Sequence, residues 1–449
     1  MYNWKITPFP HQIEGFDALV NNQRLLLSWD MGLGKTAAII AATDYLMQQG
    51  EIKNVLVITK ASLVYTFADE VRRFSDRTCL VINGSFNHRR NLYTFEMHHY
   101  DYVIVGYETF REDWVVYMHF DCLVLDEAHK IKNPESIIGE VIHKIPAKRV
   151  YLLTGTPIIN SPLESYNLLK RLGVIDYDYN KFLHHFAVMQ NKKVLRYKNM
   201  AELRQIIQGV QLRKTKDEVL DLPPKIQTIT HVPMLPQQRK LYETIKHNLK
   251  KELKDFDLTV TNINRHPLTK LLRLKQVTTD PRLLGADIPP AKIRVLKEQI
   301  EDLDKAVVFT QFREEVYLLA KDFASYNPVV ITGDTDKKER NELVKRFQED
   351  PSCRLFIGTL GACREGLTLT AASHCFFLDE EWAEAYNIQA EDRLYRIGQK
   401  QTVNIYRYRC VNTIDEYVGQ ILLKKQNMFN RMINNDVKDY AELIRKVTA

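Results

Sequence analysis

The sequence predicts an α/β protein built on two parallel-sheet lobes, and three observations carry that prediction. Short apolar runs alternate with helical stretches through roughly residue 170, the alternation resumes near residue 305, and the runs are apolar along their whole length. A strand that is apolar on both faces must be covered on both, as in a parallel sheet wrapped by helices.

At 449 residues the chain is too long for one ordinary core, so two or three domains are expected. Its 45% hydrophobic and 27% charged residues are those of a soluble globular protein. The formal charge of +7 leans mildly towards a polyanionic partner. Cys79, Cys122, Cys353, Cys363, Cys375 and Cys410 include no C-x-x-C pair. Buried thiols in a reducing compartment fit them better than a zinc site. The N-terminus lacks the layout of a signal peptide, and no apolar run is long enough to span a bilayer. A cytoplasmic, monomeric enzyme without membrane association is the expectation.

The first lobe is read over residues 1–175, with strands at 24–28, 55–59, 79–83, 102–107, 122–125 and 150–154. Ligands of such sheets bind beyond the carboxyl ends of the strands. After the first strand stands Trp29-Asp30-Met31-Gly32-Leu33-Gly34-Lys35-Thr36, and after it an apolar helix begins. Strand, glycine turn, Lys-Thr, helix is the order that a phosphate-cradling loop requires. Gly32, Leu33 and Gly34 turn backbone N–H groups inward, Lys35 brings charge to the β/γ-phosphates of ATP, and Thr36 offers a hydroxyl to Mg²⁺. Trp29 occupies the place of the first glycine in G-x-x-x-x-G-K-[ST], and is expected to pack beside the loop without touching phosphate.

Asp126-Glu127-Ala128-His129 follows the fifth strand. Asp126 is suited to hold Mg²⁺ through its water shell and Glu127 to orient the attacking water. An isolated Asp-Glu pair would be an ordinary helix start; downstream of a phosphate loop the catalytic reading wins. The sixth strand closes on Thr154-Gly155-Thr156-Pro157, small residues that suit a coupling hinge, or else a plain turn. Near the N-terminus, the amide of Gln12 is of the right type to read an adenine edge.

The second half repeats the pattern, with strands at 306–310, 328–332, 354–358, 375–378 and 403–408 over a lobe at 291–412. Its strongest element is the run from Gln389 to Gln399. Arg393 and Arg396 are three apart and on a helix share one face, where two guanidiniums can meet γ-phosphate oxygens. The competing reading pairs them with Glu391 or Asp392 at the surface. Between the lobes, 176–290 shows helical periodicity with many charges, and Pro223-Pro224 marks a boundary. Residues 413–449 open as an amphipathic helix through Ile414, Tyr417, Val418, Ile421 and Leu422.

Together these stretches resemble the Swi/Snf-type branch of helicase superfamily two, the double-stranded-DNA-translocating ATPases, over nearly the whole chain. The resemblance implies two RecA-like lobes, a small helical insertion and inter-lobe linker at 176–290 and a C-terminal helix that braces the first lobe. It implies an ATP- and Mg²⁺-dependent motor that tracks 3′ to 5′ on one strand of duplex DNA, including forked or branched DNA, in replication, repair or recombination. The alternative is a strand-separating DNA or RNA helicase. Lys35, Glu127, Arg393 and Arg396 are its expected catalytic residues, completed when the lobes close. Lys60, Ser62 and Asn160 in the first lobe, and Gln311, Phe312, Gly333, Thr359 and Arg364 in the second, are its expected nucleic-acid contacts. Gly366 is expected at the nucleotide, and Thr154, Gly155, Thr156 and Trp382 in coupling. The short insertion resembles that of a bare motor, of the kind that bacterial, phage-encoded or fork-remodelling members have.

Overall fold

The structure, a computed structural model, describes residues 2–155, 161–190, 193–254, 266–363 and 367–431. The chain divides into two compact units, Met1–Asp221 and Leu222–Asn430.

In the first unit seven strands form one parallel sheet: β1 (Arg24–Trp29), β2 (Val55–Thr59), β3 (Cys79–Ile82), β4 (Tyr102–Gly106), β5 (Cys122–Asp126), β6 (Arg149–Leu153) and, after the hairpin β7 (Ala187–Gln190) and β8 (Lys193–Tyr197), β9 (Gln211–Lys214). Their order is β3-β4-β2-β5-β6-β1-β9, with β7 and β8 forming a separate antiparallel pair. Alternate residues feed opposite cores, as the period of a strand requires. Leu25, Leu27, Val55 and Val57 face one cluster, and Leu26, Leu56 and Ile58 the other.

The second unit holds the parallel sheet β10 (Lys225–Val232), β11 (Ala306–Thr310), β12 (Val329–Ile331), β13 (Leu355–Thr359), β14 (His374–Phe377) and β15 (Val403–Cys410). Its order is β10-β15-β14-β11-β13-β12. Val307 and Phe309 face one core and Val308 the other. Two parallel-sheet lobes, the expected fold class, are present.

One reading changes. The stretch 176–290, expected to be a helical insertion and inter-lobe linker, contains β7 to β10 as well as helices. Within it the chain passes from the first sheet to the second, between β9 and β10, and Pro223-Pro224 lies in that passage. The C-terminal helix Ile414–Arg431 buries Ile414, Val418 and Leu422 among Tyr242, Leu271, Leu274 and Val277. Those partners lie on the helices Pro236–Lys254 and His266–Thr279 of the second unit, whose apolar faces it completes.

The second unit also buries charge. Lys292 is wholly buried against Asp415, Nζ to Oδ2 2.7 Å, and donates to the Leu378 carbonyl at 2.6 Å. Glu315, on the helix Arg313–Asp322, is wholly buried with neither carboxyl oxygen hydrogen-bonded. Burial first, and the Asp280 charge second, hold its carboxyl well above the usual carboxylate range. The folded protein therefore keeps this proton at a pH where the unfolded chain has released it, and stability falls as pH rises above the ordinary carboxylate value. Glu315→Gln keeps the shape and removes the titration. In urea unfolding from about pH 5 to about pH 8, the variant should gain on the wild type by up to about 1.4 kcal/mol per pH unit; a difference that does not change with pH would count against this account.

Candidate functional site

The phosphate-loop candidate leaves the carboxyl end of β1. Gly32 (φ 82°) and Gly34 (φ 76°) take left-handed backbone conformations that favour glycine. Gly34 also caps the helix Lys35–Gln48, whose first amides point out of the helix end. Lys35 Nζ donates to the carbonyls of Trp29 at 2.8 Å and Asp30 at 3.1 Å. The Leu33 side chain is buried, and its carbonyl accepts from His11 Nε2 at 2.9 Å and Gln12 Nε2 at 3.5 Å. A carbonyl only accepts, so His11 carries its proton on Nε2. Gln12 Oε1 accepts from the Phe9 amide at 2.9 Å, and a Cβ on Gly34 would collide with Gln12 Nε2. The amide read from the sequence as an adenine contact thus braces the loop.

Trp29 is fully buried. It lies edge-on to His11 with ring centroids 5.3 Å apart, and Gly15 packs on its ring so closely that a Cβ there would overlap it. His11 and Gly15 were not singled out in the sequence; a histidine before Gln12 and a glycine in an apolar helix carry too little signal alone. Asp30 Oδ2 accepts from the Lys216 amide at 3.1 Å, so the segment after β9 also holds the loop.

Asp126 ends β5, hydrogen-bonded by Thr59 Oγ1 at 2.7 Å, while Tyr107 Oη donates to the Asp126 carbonyl at 2.8 Å. Glu127 adopts φ 51°, ψ 48°, a left-handed conformation that costs a non-glycine residue about 1–3 kcal/mol. Burial and then the Glu127 charge raise the Asp126 carboxyl above the usual carboxylate range. Burial opposes ionisation of Glu127 too, but the His129 ring and the Lys60 and Lys35 charges prevail and hold its carboxyl below its ordinary value. His129 Nδ1 stands 3.2 Å from Glu127 Oε2 and 3.4 Å from Thr154 Oγ1. Gly155 sits against the Trp29 carbonyl and Met31. The acidic pair, the phosphate-loop candidate and the end of β6 are therefore in contact within the first unit.

Among the described residues no group of three or more His, Cys, Asp or Glu side chains is placed to hold a metal ion. The oxygen set offered is the Asp126 carboxylate with the Thr36 hydroxyl. Two hard donors suit Mg²⁺, which keeps several waters and takes phosphate oxygens as further ligands. A buried carboxylate destabilised by a neighbouring one is a place that a cation would stabilise, so the residues fit.

In the second unit Arg393 is buried and Arg396 half-buried. The expected shared helix face is corrected: the helix Glu384–Glu391 ends before both arginines. The Arg393 carbonyl accepts from the Leu369 amide at 2.8 Å, and the chain turns through Gly398 (φ 101°). Arg393 Nε donates to Gln389 O at 3.0 Å and Arg396 Nη1 to Leu367 O at 3.2 Å. Glu391, weighed as a surface partner for these arginines, is instead wholly buried against Arg407 Nη2 at 2.5 Å and Lys225 Nζ at 3.0 Å. Arg407 also meets Glu380 at 2.7 Å and Glu384 at 2.8 Å. This network joins β10, β15, the end of β14 and the helix that precedes the arginines.

The expected nucleic-acid contacts are placed variously. Lys60 is buried and acts electrostatically on Glu127, Ser62 is half-buried, and the Phe312 side chain is buried. Gln311 donates its side-chain amide to Glu380 O and its backbone amide to Asp379 Oδ1 at 3.0 Å. Thr359 is buried, with its hydroxyl accepting from the Ala362 amide at 3.4 Å, whereas Gly333 faces open space. Trp382 is half-buried under the Lys275 ammonium, 5.3 Å from the ring centroid. Thr156, Asn160, Arg364 and Gly366 lie outside the described residues.

The sequence profile of the SNF2-related domain matches residues 11–283, and that of the helicase conserved C-terminal domain residues 291–398. The chain is 29% identical over 436 residues to an uncharacterized ATP-dependent helicase of Mycoplasma genitalium, covering 93% of this chain and 41% of that protein. It is 28% identical over 435 residues to a putative ATP-dependent helicase/translocase of Bacillus subtilis, covering 91% and 46%. The chain thus spans less than half the length of these curated relatives. A solved SWI2/SNF2 ATPase core of Sulfolobus solfataricus in complex with dsDNA is 27% identical, with coverage of 99% and 98% and a TM-score of 0.47.

Arg407→Met should leave three carboxylates buried without their common partner, and lower the unfolding free energy by about 3–5 kcal/mol. Urea unfolding of the purified variant measures this, and a loss under about 1 kcal/mol would mean that the network relaxes to water at little cost.

Proposed function

Because the chain belongs to the SNF2-related family of ATP-dependent helicases, we propose that it is an ATP-driven translocase on double-stranded DNA, remodelling DNA structures or protein–DNA complexes in replication, repair or recombination. One observation supports the reading most: the Lys35 charge acts on both Asp126 and Glu127, so the phosphate-loop candidate and the acidic pair form a single electrostatic unit.

In this reading the amides of the loop from Gly32 to Gly34 and Lys35 hold the phosphates, with the loop braced by His11 and Gln12. Mg²⁺, when bound, neutralises charge that develops on the phosphates. Thr36 and Asp126 would hold it. Glu127, kept ionised by its neighbours, orients water, and His129 carries its position to Thr154 at the end of β6. Arg393 and Arg396 are proposed to stabilise the transferring phosphoryl group, an effect worth roughly 10³–10⁵ in rate in related hydrolases. Nucleic acid is gripped through its backbone, which positions the motor without reading sequence.

Glu127→Gln should reduce ATP turnover by about a hundredfold or more while nucleotide affinity stays near wild type. Turnover should be compared across duplex, single-stranded, forked and four-way DNA, with duplex RNA as control. Stimulation by duplex DNA, with triplex displacement in the absence of unwinding, is the expected pattern. Efficient unwinding of a plain duplex would make the chain a strand-separating helicase instead.

A further inference from the structure

Charge is concentrated at one place in the first unit. Residues 181–204 contain Lys181, Lys192, Lys193, Arg196, Lys198 and Arg204 against the single acid Glu202, a formal excess of +5 out of +7 for the whole chain. The same stretch of sequence includes the β7–β8 ribbon, which belongs to neither large sheet. The ribbon is anchored at its base: the Lys198 amide donates to Phe186 O at 2.9 Å, and Asn199 Nδ2 to His185 O at 2.9 Å. Its ladder slips between Val188 and Met189, where Leu195 is the extra residue on β8 and is 51% exposed. Such a bulge twists a strand and re-aims its side chains. Arg196 and Lys198 beside it are exposed, and among the described residues neither forms an ion pair.

The ribbon also has a fixed address. Tyr197 Oη lies 2.9 Å from Ser161 Oγ.

We propose that the β7–β8 ribbon is a second nucleic-acid grip of the first unit, in which Arg196 and Lys198 hold phosphates of the DNA backbone. The inference rests on the translocase reading, since it takes DNA as the polyanion. Two exposed cations on a narrow, anchored ribbon are suited to phosphates, and a two-stranded ribbon is of a size that a DNA major groove admits. With no base-reading geometry required, the grip is independent of sequence.

The test is duplex-DNA binding by the full chain, titrated against salt, for the wild type, Arg196→Ala/Lys198→Ala and a control, Lys53→Ala/Lys148→Ala. The control removes the same charge from the amino ends of β2 and β6, opposite the strand ends that carry the proposed site. The ribbon variant should bind about tenfold more weakly at low salt, with a log–log salt slope shallower by about 1.8, since each lost phosphate contact removes about 0.9. Its turnover without DNA and its melting temperature should stay at wild-type values, and the control should follow the wild type. Unchanged affinity and slope in the ribbon variant, or an equal loss in the control, would overturn the grip. Wild-type chain that shows no salt-dependent DNA binding would instead overturn the translocase reading, and the grip with it.

Discussion

Two buried carboxylates side by side set the terms for the first unit. Asp126 ends β5 and Glu127 follows it directly; the two repel each other and have little water to screen them. The Thr59 hydroxyl holds one and the His129 ring stands beside the other, while Lys35, at the start of the helix after β1, and Lys60, just after β2, supply positive charge. Every one of these groups lies at or just beyond the carboxyl end of a parallel strand. The sheet is what brings them together.

The second unit solves an analogous problem with opposite charges. Arg407 gathers Glu380, Glu384 and Glu391 from three places in the chain, and Lys225 brings in the first strand of the unit. Breaking such a cluster is costlier than its net contribution to stability, because each orphaned charge would remain buried. Its value is geometrical. The helix Glu384–Glu391 is tied at both ends to the sheet, so the turn that carries Arg393 and Arg396 starts from a fixed point.

Much of this was legible in the residues. Central strands such as Val55–Thr59 and Ala306–Thr310 are apolar on both faces and declare themselves. The phosphate-loop candidate and the acidic pair stand out because glycine, lysine and carboxylate fall at strand ends. Two of the four edge strands of the large sheets did not show: Gln211–Lys214 and Lys225–Val232 are covered on fewer sides, keep polar residues and read as charged helix or linker. Side-chain direction was also hidden. Lys60 and Phe312 look like surface contacts in the sequence, and only tertiary packing turns them inward. The Arg393 carbonyl is bonded to an amide 24 residues upstream, at Leu369, a contact beyond the reach of any local pattern.

Trp29, the odd letter of the loop, acquires a reason from Gly15. The indole fills the space that a side chain at position 15 would otherwise take, and the two are packed without slack. Sequence drift at either position is therefore conditional on the other. A smaller residue at 29 would open room for a side chain at 15, whereas a side chain at 15 cannot arrive first. The order of historical steps is constrained by contact alone. What reads as a departure from the usual glycine is half of a linked pair, and its other half lies in the helix before the strand.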